Sequence, residues 1–170
     1  MESILHEPQV LIVDLGSQYT RVIERTLRDT GVRSALLSPE KAAAWIRSHT
    51  PRGIILSGGY ASISDDACPA VSDELIRHRA PKLGICLGMH LLAAEFGGKV
   101  EATVATREYG PATARLSPSS LFDGIEAEQS VWASHGDTTT KLPPGAREIA
   151  RSGDGIAGFE LLDKRFWAAQ

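Results

Sequence analysis

The feature that most restricts the fold is a series of short apolar runs, each ended by glycine or a turn and followed by a helix-like pattern. Gln9–Leu15 (QVLIVDL) is almost wholly apolar and rich in branched residues, the composition of a strand covered on both faces. Gly16 breaks it. Ser17 is then placed to cap a helix through Asp29, with Val22, Ile23, Thr26 and Leu27 as the inward stripe and Gly31 as the stop. Val32–Leu37 predicts a second strand. Ser38-Pro39-Glu40 opens another helix, with proline in the first turn, where its missing N–H costs nothing. Gly53–Leu56 (GIIL) predicts a third buried strand, ending in Ser57-Gly58-Gly59. A loop and a helix over about Ala70–Arg79 follow, then a strand at Leu83–Ile85 and a helix at Leu87–Phe96, closed by Gly97-Gly98. This alternation predicts an α/β fold with an open, mostly parallel sheet flanked by helices.

After Gly98 the pattern changes. Short β-like runs recur at Lys99–Val104, Ala112–Leu116, Ser130–Ser134, Arg147–Arg151, Ile156–Leu161 and Phe166–Gln170, with turns between them. They predict hairpins that extend the same sheet as a C-terminal mixed, antiparallel part, so residues 1–170 are expected to form a single domain. A chain of 170 residues suits that, and it can bury a core without staples. Composition narrows the function. With 42% hydrophobic and 23% charged residues the chain is globular, and its net charge of −3 has no basic stripe to bind nucleic acid or a membrane surface. Two cysteines, Cys68 and Cys86, make no disulfide framework and point to a reducing compartment. Met1–Pro8 lacks the apolar core of a signal peptide, and no run approaches the roughly 20 apolar residues of a membrane span. A cytoplasmic protein is expected.

The strongest chemical signal is Gly84-Ile85-Cys86-Leu87-Gly88, between a buried strand and a helix. It has the G-x-nucleophile-x-G form of a nucleophile elbow, with cysteine as the nucleophile. Glycine on both sides lets the chain turn sharply and present the side chain at the carboxyl end of the sheet, where open α/β folds bind ligands. The helix N-terminus is expected to favour the Cys86 thiolate, and the Leu87 N–H points where an oxyanion would form. A buried cysteine at a tight turn is the structural alternative. Ser57-Gly58-Gly59 ends the neighbouring strand and brings a second backbone N–H, that of Gly59, as a candidate oxyanion donor.

His135, in Ser134-His135-Gly136-Asp137, is either a partner for the cysteine or part of a polar loop that recognises substrate. His90 lies four residues beyond Cys86, one helical turn on, and is expected to face the same mouth. His6, His49 and His78 lie in polar surroundings and are expected at the surface, and Cys68 is expected to be inert. No spacing of histidine and cysteine suggests a metal.

Five ordered segments together resemble the class I glutamine amidotransferases, and within them the glutaminase domains of the GMP synthase family. These are Asp14–Thr20 (DLGSQYT), Gly53–Gly59 (GIILSGG), Gly84–His90 (GICLGMH), Arg107–Gly110 (REYG) and Val131–Asp137 (VWASHGD). The likeness runs from about Gln9 to Gln170. It implies a flavodoxin-like amidotransferase fold and hydrolysis of L-glutamine, with the ammonia used to aminate XMP to GMP. Cys86 would attack the side-chain amide and form a thioester, with Gly59 and Leu87 as oxyanion donors. His90, Ser134, His135 and Asp137 would hold the glutamine head group, Asp137 at its α-ammonium. The resemblance implies no cofactor in this domain, and ATP with Mg2+ in a partner ATP-pyrophosphatase synthetase domain or subunit.

Three departures stand out. Tyr60 follows the double glycine where the family has proline, and His90 stands where it has glutamine. The family's catalytic His and Glu lie in a segment like Q-F-H-P-E after the last strand, and Gln170 matches its first letter. Residues 1–170 are therefore expected to lack the general base, to hydrolyse glutamine only weakly and to leave a frayed sheet edge. The alternatives are a catalytically silent module that docks on and regulates a synthetase, and another cysteine hydrolase on the same elbow. The latter leaves Asp14–Thr20 and Arg107–Gly110 unexplained.

Overall fold

The computed structural model describes residues 7–102 and 108–170. His6, Arg107 and the end of the expected Lys99–Val104 strand lie outside the described residues.

Four short strands frame the first half: β1 (Val10–Val13), β2 (Ser34–Leu37), β3 (Gly53–Leu56) and β4 (Lys82–Ile85). β1 pairs in parallel with β2 on one side and β3 on the other, and β3 pairs in parallel with β4. Leu11, Ile12 and Val13 are wholly buried and Ile54 and Leu56 almost so, as strands covered on both faces require. Between them run α1 (Thr20–Asp29), α2 (Pro39–Trp45), α3 (Asp73–Ile76) and α4 (Leu87–Glu95). Ser38 caps α2 by accepting from the Lys41 N–H, with Pro39 in the first turn as expected. α4 buries Leu87, Met89, Leu92 and Ala93 along with Gly88 and His90. It is apolar almost all round, which is the pattern of a helix enclosed by other layers.

Two helices differ from expectation. α1 starts at Thr20, because Ser17 spends its hydroxyl on the Tyr19 N–H two residues on, a local turn that delays the helix. Its inward stripe is only partly formed: Ile23 and Leu27 are half-buried, whereas Val22 is 54% exposed and Thr26 is also exposed. The helix expected over Ala70–Arg79 is a single turn. Ser72 caps it, and His78 Nδ1 accepts from the Ala80 N–H, 3.1 Å away, to turn the chain into β4.

The second half supplies β5 (Lys99–Ala102), β6 (Glu108–Leu116), β7 (Glu128–His135), β8 (Asp137–Lys141), β9 (Arg147–Ser152), β10 (Gly155–Leu161) and β11 (Phe166–Ala169). The strand order is β2-β1-β3-β4-β11-β10-β9-β6-β7, with β8 branching from β10 and β5 from β8. From β11 onward every pairing is antiparallel, except that β11 runs parallel to β4. The antiparallel extension of a parallel sheet is thus as expected.

The frayed edge is not. β11 lies in the interior of the sheet, between β4 and β10, and both its neighbours bond it along its length. Phe166 is fully buried there, stacked on Phe96 at the end of α4 at 5.1 Å and edge-on to Phe159 of β10 at 5.6 Å. β8 (DTTTK) is a further strand that the sequence does not predict. Its threonines are β-branched but polar, so no hydrophobic alternation marks it, although Thr138 and Thr139 are buried. A buried carboxylate stitches the extension together: Glu160 accepts from Arg147 Nε at 3.1 Å and from Ser119 Oγ at 2.6 Å. Burial alone would raise its pKa, but these two donors hold it below the usual value. No helix among the described residues is long and apolar enough to cross a membrane.

Candidate active site

Cys86 ends β4 and precedes the first residue of α4, with φ 50° and ψ −108°. Few non-glycine residues adopt a positive φ, and the neighbours here leave no alternative. A Cβ on Gly84 would sit 2.6 Å from the Gly88 carbonyl oxygen, and one on Gly88 would sit 2.3 Å from the Leu56 oxygen. Both flanking positions of the elbow therefore require glycine, because strand and helix backbones touch there. The Cys86 N–H is taken by the Ala169 carbonyl at 2.9 Å, and its own carbonyl accepts the first helical bond from His90. The backbone of Cys86 is thus pinned on both sides, and the half-buried side chain is left in a cavity wall.

Three of the sequence segments meet at this point through Ser57. Its hydroxyl, fully buried, accepts from the Leu15 N–H at 2.9 Å and donates to the Gly58 carbonyl at 3.0 Å. Thr20 Oγ1 lies 3.2 Å from it and 3.0 Å from Asp14 Oδ1, and the Ser57 carbonyl accepts from the Gly88 N–H at 3.2 Å. A Cβ on Gly58 would fall 3.4 Å from the Cys86 Cβ and 3.6 Å from the Ser17 Cβ, so Gly58 separates these two side chains by little more than its own width. Gly59 is confined more strictly, since a Cβ there would overlap the Leu15 carbonyl oxygen and a Leu87 methyl, both at 2.5 Å. Among the described residues, the Gly59 and Leu87 N–H groups donate to no protein acceptor. Two uncommitted donors therefore flank the nucleophile, as an oxyanion site needs.

The cavity holds about 1220 Å³. Gly58, Gly59 and Cys86 form one wall, Ser17, Tyr19 and Tyr60 a second, and Trp132, Ser134 and His135 of β7 a third, with Ala169 and Gln170 beside Cys86. Of the residues singled out in the sequence, Gly59, Cys86, Ser134 and His135 line it. Leu87, His90 and Asp137 lie outside the lining.

His90 is 2% exposed, and burial pushes its imidazole down to about 4, against the opposing influence of Asp137 and Gln170. It is a neutral group behind the cavity wall. His135 Nδ1 lies 3.1 Å from the Asp137 carbonyl, an atom that only accepts, so Nδ1 carries the proton. Asp137 opens β8 and does not sit in a loop. Its Oδ2 accepts the Ile63 N–H at 3.2 Å, which ties β8 to the segment following Gly59. Ser57, Thr20 and Gln170 belong to the site, although the sequence marks them only as members of matching segments and assigns them no role. The first two are small polar residues within apolar segments, and Gln170 owes its place to β11 pairing with β4.

The family model described as glutamine amidotransferase class-I matches residues 11–170. GMP synthase [glutamine-hydrolyzing] of Enterococcus faecalis is 41% identical over 164 residues, covering 95% of this chain and 31% of that protein. The Vibrio vulnificus protein of the same name is 39% identical over 172 residues, covering 100% of this chain and 33% of its own length. The chain thus spans about a third of the length of these curated relatives. The crystal structure of a Thermoplasma acidophilum protein, described as a GMP synthase subunit, superimposes with a TM-score of 0.85 at 28% identity, covering 97% of this chain and 83% of that one.

Proposed function

Because this chain belongs to the class I glutamine amidotransferases, we propose that it is the ammonia-supplying glutaminase of a GMP synthase. The observation that carries the reading is the pinned, positive-φ Cys86 in a cavity wall between two uncommitted N–H donors. The Cys86 sulfur attacks the side-chain amide carbon of L-glutamine, and the carbonyl electrons move onto oxygen between the Gly59 and Leu87 N–H groups. Each such donor contributes about 3 kcal/mol to the transition state. As the oxyanion collapses, the C–N bond breaks and the nitrogen leaves as ammonia with the proton lost from the thiol. Water then hydrolyses the thioester and frees glutamate and the cysteine. Ser134 and His135 line the same cavity and would hold the head group. Asp137 lies outside the lining with one oxygen bound to Ile63, so it would act on the α-ammonium from behind His135, through its second oxygen.

The names and lengths of the relatives support a synthetase as partner domain or subunit, using ATP and Mg2+ to aminate XMP in the cytoplasm. Neither described imidazole near the cavity is assigned as the general base: His90 is behind the wall, and His135, although its Nδ1 tautomer keeps the lone pair on Nε2, lies in the segment read as binding substrate. The test is glutamine-dependent ammonia release, with and without the family's His/Glu segment joined after Gln170, alongside Cys86→Ser. Release that depends on Cys86 and rises at least a hundredfold with the added segment is expected. Release that survives Cys86→Ser overturns the reading, and equal, robust rates from both forms place the base within residues 1–170.

A further inference from the structure

Ser57 is the last residue before the double glycine, and its backbone is committed on both sides. Its N–H donates to the Val13 carbonyl at 3.1 Å, and its carbonyl accepts from the Gly88 N–H at 3.2 Å. The peptide that follows, between Gly58 and Gly59, carries one of the two oxyanion donors. Neither of its residues has a Cβ to resist rotation of the peptide plane. Such a rotation would aim a carbonyl at the reacting oxygen in place of an N–H. The donor therefore needs something to hold it.

The bonds around the Ser57 hydroxyl supply it. A hydroxyl has one proton to give and two lone pairs. The Leu15 N–H, which can only donate, takes a lone pair at 2.9 Å. Two acceptors compete for the proton: the Gly58 carbonyl at 3.0 Å and Thr20 Oγ1 at 3.2 Å. Thr20 Oγ1 already has the Ser17 carbonyl at 2.9 Å and Asp14 Oδ1 at 3.0 Å. Gly58 is buried, and among the described residues no other group donates to its carbonyl. Buried carbonyls are seldom left without a donor, so the proton goes to Gly58. A trans peptide is planar, with its C=O and N–H pointing opposite ways. With the Gly58 carbonyl drawn in to the buried hydroxyl, the Gly59 N–H is turned outward, where Gly58, Gly59 and Cys86 line the cavity.

We propose that Ser57 is a positioning residue for the reaction at Cys86: its hydroxyl holds the Gly58–Gly59 peptide in the one orientation that aims an N–H at the oxyanion. Leu15 and Thr20 keep that hydroxyl turned to Gly58, which gives the Asp14–Thr20 segment a task. This rests on the glutaminase reading and deepens it. The Ser57 side chain is fully buried and touches no substrate. Its influence is therefore confined to the step in which charge develops on oxygen, and it leaves the binding of the head group alone.

The test uses the whole chain and two electrophiles aimed at Cys86. A chloroketone analogue of glutamine carries the amino-acid head group and sets a ketone oxygen where the amide oxygen would lie. The sulfur displaces chloride from it, and the ketone must be polarised for that to be fast. Iodoacetamide has no head group and needs no oxyanion donor. Inactivation by the analogue is resolved into KI and kinact, with mass spectrometry to locate the label. Ser57→Ala is expected to lower kinact about tenfold or more and to leave KI within about twofold. Ser57→Cys, close to serine in size but a weaker donor, should fall between. Alkylation of Cys86 by iodoacetamide should follow the unsubstituted chain in both. An unchanged kinact in both variants, with the unsubstituted chain labelled, overturns the proposal alone. So does a rise in KI without a fall in kinact, since Ser57 would then shape binding only. A fall in the iodoacetamide rate that matches the loss with the analogue also overturns it, because the substitutions would then disturb the elbow itself. If the unsubstituted chain reacts with iodoacetamide but not with the analogue, the glutamine site fails and this assignment with it.

Discussion

In the parallel half of the sheet the strands are four residues long, their side chains are buried or half-buried, and the chemistry is set by backbone: a positive-φ cysteine, three glycines without room for a methyl, and two N–H groups that donate to no described acceptor. In the antiparallel half the strands reach nine residues, and what faces the cavity is largely side chain. Trp132, which lines it, is 76% exposed. The parallel half fixes where a carbonyl carbon must sit to react. The antiparallel half provides the far wall of the cavity, joined to the first through β11. Reaction geometry tolerates errors of a fraction of an ångström, and only close backbone packing holds atoms that tightly.

The contrast is sharpest at glycine. Gly88→Ala gains helix propensity of about 1 kcal/mol, but its Cβ would lie 2.3 Å from the Leu56 carbonyl oxygen and 2.8 Å from the Leu56 Cβ. Neither backbone can move without disturbing β3 or the elbow, so a net loss of about 3 kcal/mol is expected, together with loss of Cys86 labelling by the glutamine analogue. Gly124 of the antiparallel half, at φ +79°, has nothing within 4 Å of its would-be Cβ. Gly124→Ala should cost only the left-handed strain, about 1 kcal/mol, and leave labelling intact. Urea unfolding of both variants tests the pair. Equal losses would show that the elbow is no more constrained than a surface turn.

The same division decides how much can be read from sequence. β3 is legible to its end residues because Gly53–Leu56 is an unbroken apolar run, and the elbow because close backbone approaches admit only glycine at Gly84 and Gly88 and the residue between them is a nucleophile type. The helical period misplaces Val22, since it says which residues share a face, not how much sheet that face will meet. β8 is invisible because threonine pairs well in strands without the alternation that reveals them, and Asp137 looks like a loop residue for the same reason. The sequence marks Gln170 only as a match to a family segment, and its place beside Cys86 depends on β11 crossing back to lie against β4, a long-range pairing.

His90 sits where the halves meet, on α4 but facing Asp137 and His135 of the antiparallel half and Gln170 at the seam. Its imidazole is held at about 4, below the ordinary value of 6.5. Between those values the unfolded chain binds the proton and the folded chain does not. Stability should thus fall as pH drops from about 6.5 to about 4, by of order 2 kcal/mol from this group. His90→Gln carries no such proton and should lose less over that range, whatever its stability at neutral pH. Parallel curves for the two proteins would mean that His90 reaches solvent and that the seam opens more readily than its burial implies.

The smallest effect tests whether the antiparallel wall is distinct from the core. Trp132 stands on β7, the outermost strand, largely exposed yet part of the cavity lining. Removing an exposed side chain that fills no core space should change stability by no more than about 0.5 kcal/mol. The cavity would nevertheless lose apolar cover. For Trp132→Ala we therefore expect an unfolding midpoint close to that of the unsubstituted chain and a rise of about two- to threefold in KI for the glutamine analogue, with kinact unchanged because the elbow is untouched. A stability loss above about 1 kcal/mol would contradict this division, since β7 would then be a structural support of the sheet as well as a cavity wall. A fall in kinact would contradict it more directly, because the reaction geometry would depend on a side chain that the backbone of the parallel half does not hold.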